Sequence, residues 1–363
     1  MKADVMKIET EKQLSEAIRG ADGPLAIMGG GTRPVGQGAG ARLQVGISGI
    51  TLYEPGALTL VAGAGTPLSE IEEVIAAQGQ RLPFEPARWG RVLRAAGAST
   101  IGGVVAANVS GPRRVQAGAC RDSLIGVRFV DGSGEVIKNG GRVMKNVTGY
   151  DLAKLMAGSW GTLGVLSEVS FKLLPAAVAQ ASVVLDLPAE AAQPALSAAL
   201  GSPFDVSGAG WLPGIGAIVR VEGLAQSVAY RAERLRALLA PFAPARIETD
   251  GSAELWRHLR DLVPFEGKAG DVWRLSVKLS ETPEILRRIG GEVLLDWGGG
   301  LIWALLPEGT DLRAKAAPYT GHATCLRGHA AAFEPEPAPA ATLTRALRAR
   351  FDPRGILNPG RMG

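Results

Sequence analysis

The sequence predicts an α+β protein built as two domains with a short closing segment. Three glycine-rich stretches punctuate its front half: Gly29-Gly30-Gly31-Thr32, residues 99–112 with Gly102-Gly103, and Gly161-Thr162-Leu163-Gly164. After Ala176 strand-like runs alternate with helical ones, the pattern of an antiparallel sheet with helices on one face. A chain of 363 residues is long for one core and comfortable for two. The expected boundaries are 1–175, 176–335 and 336–363.

Each element has a local signal. Residues 25–28 are a short apolar strand running into the first glycine turn, and residues 59–62 are another. Thr66 is placed to cap a helix with Pro67 at its first position. Leu68, Ile71, Val74 and Ile75 give that helix one apolar face, and Gly79 ends it. Residues 124–130 and 135–138 flank the turn Asp131-Gly-Ser-Gly134 as a hairpin. Thr148-Gly-Tyr-Asp151 has capping-box spacing before a helix over 152–157. Val165, Ser167, Val169, Phe171 and Leu173 alternate with their neighbours as a half-buried strand, and Pro175 closes the block. Beyond it, strands are expected over 183–187, 215–221, 272–279 and 301–306, and helices over 189–200, 225–239 and 252–262. A Pro-rich linker (334–339) then leads to a last helix at 342–350.

Composition excludes several classes. Hydrophobic residues make up 46% of the chain, enough for a core, and the 49 glycines lack a collagen period, so they mark turns and close backbone approaches. The net charge of +4 comes from 39 basic and 35 acidic residues without a basic block, which argues against nucleic acid and allows modest attraction for anions. Cys120 and Cys325 read as reduced thiols, not a disulfide or a metal motif. No leader-like or membrane-spanning apolar run is visible. The expectation is a cytoplasmic protein, with peripheral attachment to the inner face of the cytoplasmic membrane left open.

The glycine stretches suit a polyanionic, flat ligand, because backbone amides can approach where no Cβ intervenes. A Walker-type phosphate loop is absent: Gly267-Lys268 is followed by Ala269. Gly36-Gln-Gly38-Ala-Gly40-Ala41 matches a loose dinucleotide fingerprint but lacks the strand before and the helix after it.

The order Gly29-Gly-Gly-Thr32, Pro83-Phe-Glu-Pro86, Thr100-Ile-Gly-Gly103 with Asn108 and Gly111, Arg121-Asp122, Gly149-Tyr-Asp-Leu152 and Gly161-Thr-Leu-Gly164 resembles the vanillyl-alcohol-oxidase superfamily of FAD enzymes. The tail Phe351-Asp-Pro-Arg-Gly-Ile-Leu-Asn-Pro-Gly360 resembles that superfamily's C-terminus. Residues 143–152 with 158–164 most resemble the smaller FAD-binding subunit of bacterial glycolate oxidase. The resemblance implies a PCMH-type FAD-binding domain of two α+β subdomains, followed by a cap domain. It also implies a complex with a larger flavin-containing catalytic subunit and an iron-sulfur subunit.

On this basis Gly29, Gly30, Gly31 and Thr32 are expected at one end of FAD, and Thr100, Gly102, Gly103, Asn108 and Gly111 along its other side. Pro86 is expected near the adenine or ribose and Val165, with Gly161 and Gly164, at the adenine edge. Arg113, Arg114 and Lys145 are candidate charge partners. Ala117 stands where relatives usually carry Tyr before the glycine matching Gly118. The first histidine is His258, outside this region, so a histidyl tether there is excluded. Cys120 reads as an inert thiol, and the FAD is expected to be non-covalent.

Oxidation of a 2-hydroxy acid needs a base and a carboxylate-binding cation. Arg274, Ser276 and Lys278 share one face of a strand, and Arg274 and Lys278 are candidates to hold a carboxylate. Arg220 has the same two readings, solvated or cavity-facing. Of the three histidines, His322 is the candidate to face the flavin; His258 reads as packed on its helix and His329 as a turn residue. No metal spacing is present. The leading expectation is a subunit supporting glycolate oxidation. A stand-alone FAD dehydrogenase of a small 2-hydroxy acid such as D-lactate, and a structural subunit with a vestigial flavin site, are the alternatives.

Overall fold

The computed structural model describes residues 5–36, 38–141 and 149–362. The chain starts with a parallel sheet of β1 (Val5–Ile8), β2 (Leu25–Met28) and β3 (Ala41–Val45), in the order β1-β3-β2. Helix α1 (Glu11–Arg19) links β1 to β2. Its first turn is a capping box between Thr10 and Gln13, and Leu14 and Ile18 are buried beneath it.

A second, antiparallel sheet follows. Its strands are β4 (Ile50–Glu54), β5 (Thr59–Gly63), β7 (Leu124–Val130), β8 (Val136–Gly140) and β9 (Val165–Lys172), in the order β4-β5-β9-β7-β8. Between β5 and β7 lie α2 (Leu68–Ala76), the short β6 (Gln80–Arg81), α3 (Ile101–Ala106), α4 (Arg114–Ala117) and α5 (Cys120–Ser123). Helix α6 (Leu152–Met156) precedes β9, and β10 (Leu174–Pro175) pairs with β6.

Two local expectations change. Thr66 does not cap α2: its hydroxyl donates to the Gly63 carbonyl and accepts from the Gly49 amide, pinning the turn before the helix. At α6 the cap is Asp151, which accepts from the Lys154 amide, while Thr148 lies outside the described residues.

The rest of the chain forms one antiparallel sheet of β11 (Ala179–Leu185), β12 (Gly208–Leu212), β13 (Gly216–Gly223), β14 (Ala245–Glu248), β15 (Asp271–Val277), β16 (Glu292–Asp296), β17 (Leu301–Leu306) and β18 (Gly321–Arg327). The spatial order is β14-β11-β13-β12-β16-β17-β15-β18. Helices α7 (Ala189–Leu200), α8 (Ala225–Leu239), α10 (Thr282–Ile289) and α11 (Leu312–Ala316) belong to its outer face, where Trp273, Leu275, Leu196 and Leu235 share a core. The inner face sends Val184, Ile218, Leu294 and Trp303 into the core of the N-terminal half, joined there by Trp256 and Leu259 of α9 (Ser252–Asp261). Each fully buried residue of this size stabilises the fold by about 1.5–3 kcal/mol.

The last helix, α12 (Ala338–Phe351), is mostly exposed. After it the chain returns to β2: the Leu25 amide donates to the Ile356 carbonyl and the Asn358 amide to the Leu25 carbonyl.

Candidate functional site

A cleft of about 410 Å³ opens between the end of β2, the start of α3, the turn before β9 and the C-terminal segment. Gly29, Gly30, Gly31, Thr32, Thr100, Gly102, Gly103, Gly161, Gly164 and Val165 line it. The glycines are of two kinds. Several are required by the protein's own packing: a Cβ at Gly30 would sit 1.6 Å from the Ala98 carbonyl oxygen, and one at Gly102 would sit 2.6 Å from the Ala64 Cβ. Gly31 differs. It has φ +69°, and only the Met28 Cε lies near its missing Cβ, at 3.6 Å.

The cleft is rich in uncommitted donors. Among the described residues the amides of Gly30, Gly31 and Thr32 donate to no protein acceptor. The Thr100 hydroxyl is buried without a partner. Arg33 is 9% exposed, and among the described residues its guanidinium donates to the Ser99 hydroxyl and the Ala87 carbonyl alone. Burial pulls its pKa down to about 10. Arg361 donates, among the described residues, to the carbonyls of Val35, Ile27 and Arg33 and packs over Trp160. Two arginines without a carboxylate, three consecutive free amides and an orphaned hydroxyl form a set that an oligophosphate satisfies. These residues fit FAD. Arg33, Arg361 and Asn358 escape sequence reasoning because each is defined by backbone partners far away in the chain. Asn358 accepts from the Ile27 amide and donates to the Trp160 carbonyl.

Other expected cofactor residues lie off the cleft lining. The Asn108 carboxamide accepts from the Arg121 amide. Gly111 is required by Glu85, whose carbonyl oxygen would be 2.3 Å from its Cβ, and Pro86 follows Glu85 in that segment. Arg113 is committed elsewhere: it donates to Glu222 at 2.9 and 3.0 Å, so it is not available as a phosphate partner. Lys145 lies outside the described residues.

Arg113 belongs to a buried ion network that joins the two halves. Arg220, 1% exposed, makes a two-point contact with Glu85 at 3.0 and 2.9 Å, and Arg81 donates to Glu222 at 2.7 Å. Burial alone would raise the Glu85 pKa, but Arg220 and Arg113 outweigh it and hold it at about 2. Arg220 is therefore neither solvated nor free for substrate.

A second cluster lies on the inner face of the large sheet. In the strand register Arg274 stands opposite Trp303 and Thr324, and Ser276 opposite His322. Directly opposed residues share a face, so this polar row points toward the N-terminal half. Arg274 lies 3.4 Å from His322 Nε2, and its guanidinium stacks on Trp297. Lys278 departs from the expected row. The strand ends at Val277, and Lys278 is exposed before a 3-10 turn. Trp303 meets Trp89 edge-on at 5.3 Å, and Arg33 lies over Trp89, so a continuous packed path links this cluster to the cleft. His258 and His329 pair with Glu254 and Glu308. Among the described residues no cluster of metal-ligating side chains occurs.

The model for the FAD binding domain matches residues 3–140. Glycolate oxidase subunit GlcE of Escherichia coli is 35% identical over 359 residues, covering 97% of this chain and 95% of that protein. D-lactate dehydrogenase of Archaeoglobus fulgidus is 30% identical over 173 residues, covering 47% of this chain and 36% of the enzyme. Among solved structures, alkyldihydroxyacetonephosphate synthase superposes with a TM-score of 0.69 at 15% identity, covering 98% of this chain and 75% of that one, a likeness of fold. Matched from end to end, the chain belongs to the GlcE family of glycolate oxidase subunits, FAD-dependent oxidoreductases built on an FAD-binding domain.

Proposed function

We propose that this chain is the FAD-binding subunit of a complex that oxidises glycolate to glyoxylate, with a larger flavin subunit and an iron-sulfur subunit as its partners. The observation that carries the proposal is the cleft: its free amides, the Thr100 hydroxyl, and Arg33 and Arg361, which among the described residues face no carboxylate, form a set suited to an anionic ligand. The end-to-end likeness to GlcE supports the substrate and the assembly. The division into a flavin domain (1–175), a cap (176–335) and a return segment (336–363) is part of the same reading.

In this reading the amides of residues 30–32, the Thr100 hydroxyl and the two arginines hold the diphosphate, and the backbone at Gly161, Gly164 and Val165 borders the adenine. When bound, FAD supplies the acceptor for the hydride of a CH–OH group. The binding is non-covalent. Cys120 is fully buried and off the cleft, with burial raising its pKa far above the ordinary thiol value. Arg274 and His322 are the candidates to meet substrate; Lys278 leaves the polar row because the strand ends at Val277 and its side chain is exposed. Among the described residues no helix is long and apolar enough to cross a membrane. A location in the cytoplasm, or peripheral on the inner face of its membrane, is part of the proposal.

The test is the absorbance spectrum of the purified chain before and after acid precipitation. The expected result is a flavin spectrum that moves wholly to the supernatant. A colourless chain that cannot be reconstituted with FAD overturns the proposal. Anaerobic glycolate then decides the division of labour: bleaching makes this chain a catalyst in its own right, and an unchanged spectrum assigns the chemistry to the partner.

A further inference from the structure

Trp297 sits in the turn between β16 and β17 with φ +53°, a left-handed conformation that is strained for a large aromatic residue. Its indole nitrogen donates to the Gly111 carbonyl at 3.1 Å, which ties it to the N-terminal half. Two guanidinium groups lie against its ring. Arg114, from α4, is 4.3 Å from the ring centre, and Arg274, from β15, is 5.1 Å away. His322 flanks Arg274.

These cations lack counter-ions. Among the described residues no carboxylate comes within 4.0 Å of either guanidinium. The carboxylates that influence them from farther away are Asp296 for Arg274 and Asp122 for Arg114. Asp296 is itself 2% exposed, accepts from the Trp297 amide and is held by burial in its neutral form up to about pH 7. Burial and mutual repulsion with Arg114 pull the Arg274 pKa down to about 10. The neighbouring Trp303 indole N–H is buried without an acceptor. The cluster is half-buried and reaches solvent at His322.

We infer that Arg114 and Arg274, both packed against Trp297 with His322 at the mouth, form a binding site for the carboxylate of a small organic acid that spans the two halves of the molecule. A planar carboxylate matches the fork of a guanidinium and relieves the repulsion between the two arginines. The strained Trp297 turn spaces the cations and fixes them against the N-terminal half. The choice of a 2-hydroxy acid as the physiological occupant rests on the proposed function; the site itself rests on the uncompensated cations. It means that this subunit binds the acid itself and does not merely support a partner that does.

The test is calorimetric titration of the FAD-loaded full chain with oxalate, a planar acid with no C–H bond to oxidise. The expected result is saturable binding that Arg274→Gln and Arg114→Gln each weaken by roughly ten- to hundredfold. Flavin content should be unchanged, and Lys278→Gln should bind like the unmodified chain. Absence of saturable binding to the unmodified chain overturns the inference, and so does binding that both arginine variants retain. The unmodified chain alone suffices for the first outcome, so a variant that fails to fold does not shield the idea. The two proposals fail separately. A yellow protein blind to oxalate removes the acid site and leaves the flavin reading, whereas a colourless one whose melting temperature rises with oxalate does the reverse.

Discussion

Glu85 and Asp296 are buried carboxyl groups near the same arginine, yet their environments push them in opposite directions. Glu85, at φ +52°, faces Arg220 and Arg113 and is held at about pKa 2. It stabilises the fold fully above the unfolded carboxylate value near 4.3, and that contribution is lost as pH falls toward 2. Asp296 is raised to about 7 by burial, against the pull of the Trp297 amide, Arg220 and Arg274. The folded state therefore holds a proton that the unfolded state has released, and stability falls as pH rises from about 4 through 7. Asp296→Asn keeps an oxygen for the Trp297 amide and removes that titration. The decline in urea midpoint that Asp296 causes between pH 5 and 7 in the unmodified chain should be absent from the variant; a parallel decline in both would show that Asp296 is not the group responsible. Glu85→Ala has the other sign. It removes the two-point partner of buried Arg220, leaving only Glu222 at 3.6 Å, and should cost about 3–5 kcal/mol in denaturant unfolding at pH 7.

Elements were legible where one face is apolar and the ends are marked. Strands β7 and β17 and helices α7 and α8 match their expected spans, and β5 and β9 lie within a residue of theirs. Helix α3 was hidden because Ile101-Gly-Gly-Val-Val-Ala106 reads as a loop; its helix survives because Gly102 packs against Ala64, a contact formed only in the folded chain. Helix α1 carries its own local signal, the capping box Thr10-x-x-Gln13. The cleft divides in the same way. Its glycine turns show in the local sequence, whereas Asn358 depends on contacts across 331 and 198 residues. Asn358→Ala strips a partner from the Ile27 amide and from the Trp160 carbonyl, and each such loss costs about 1–3 kcal/mol. The variant should have a lower melting temperature and retain less flavin after gel filtration. Normal flavin retention would mean that the C-terminal segment does not shape the cleft.

On the scale of the whole molecule, the two halves share one hydrophobic cluster and are tied by the Glu85–Arg220 and Arg113–Glu222 pairs. Phe84 and Trp89 of the N-terminal half belong to the same cluster as Trp256, Leu294 and Trp303 of the second. Among the described residues the cleft lining comes from positions between Ala26 and Leu166 and from the C-terminal Asn358 and Arg361. If each half were an independent unit, FAD would stabilise only the half it touches. The shared core makes separate unfolding expensive, because it would expose the inner face of the large sheet together with four buried charges. Calorimetry should therefore give a single transition, and FAD should raise its midpoint as a whole. Hydrogen exchange offers the sharper reading. In amides of β13, far from the cleft lining, exchange by global opening should slow with added FAD by the same factor as in β9. Slowing confined to β9 would show that the two halves unfold apart, and that the ion pairs only hold together domains that are already stable by themselves.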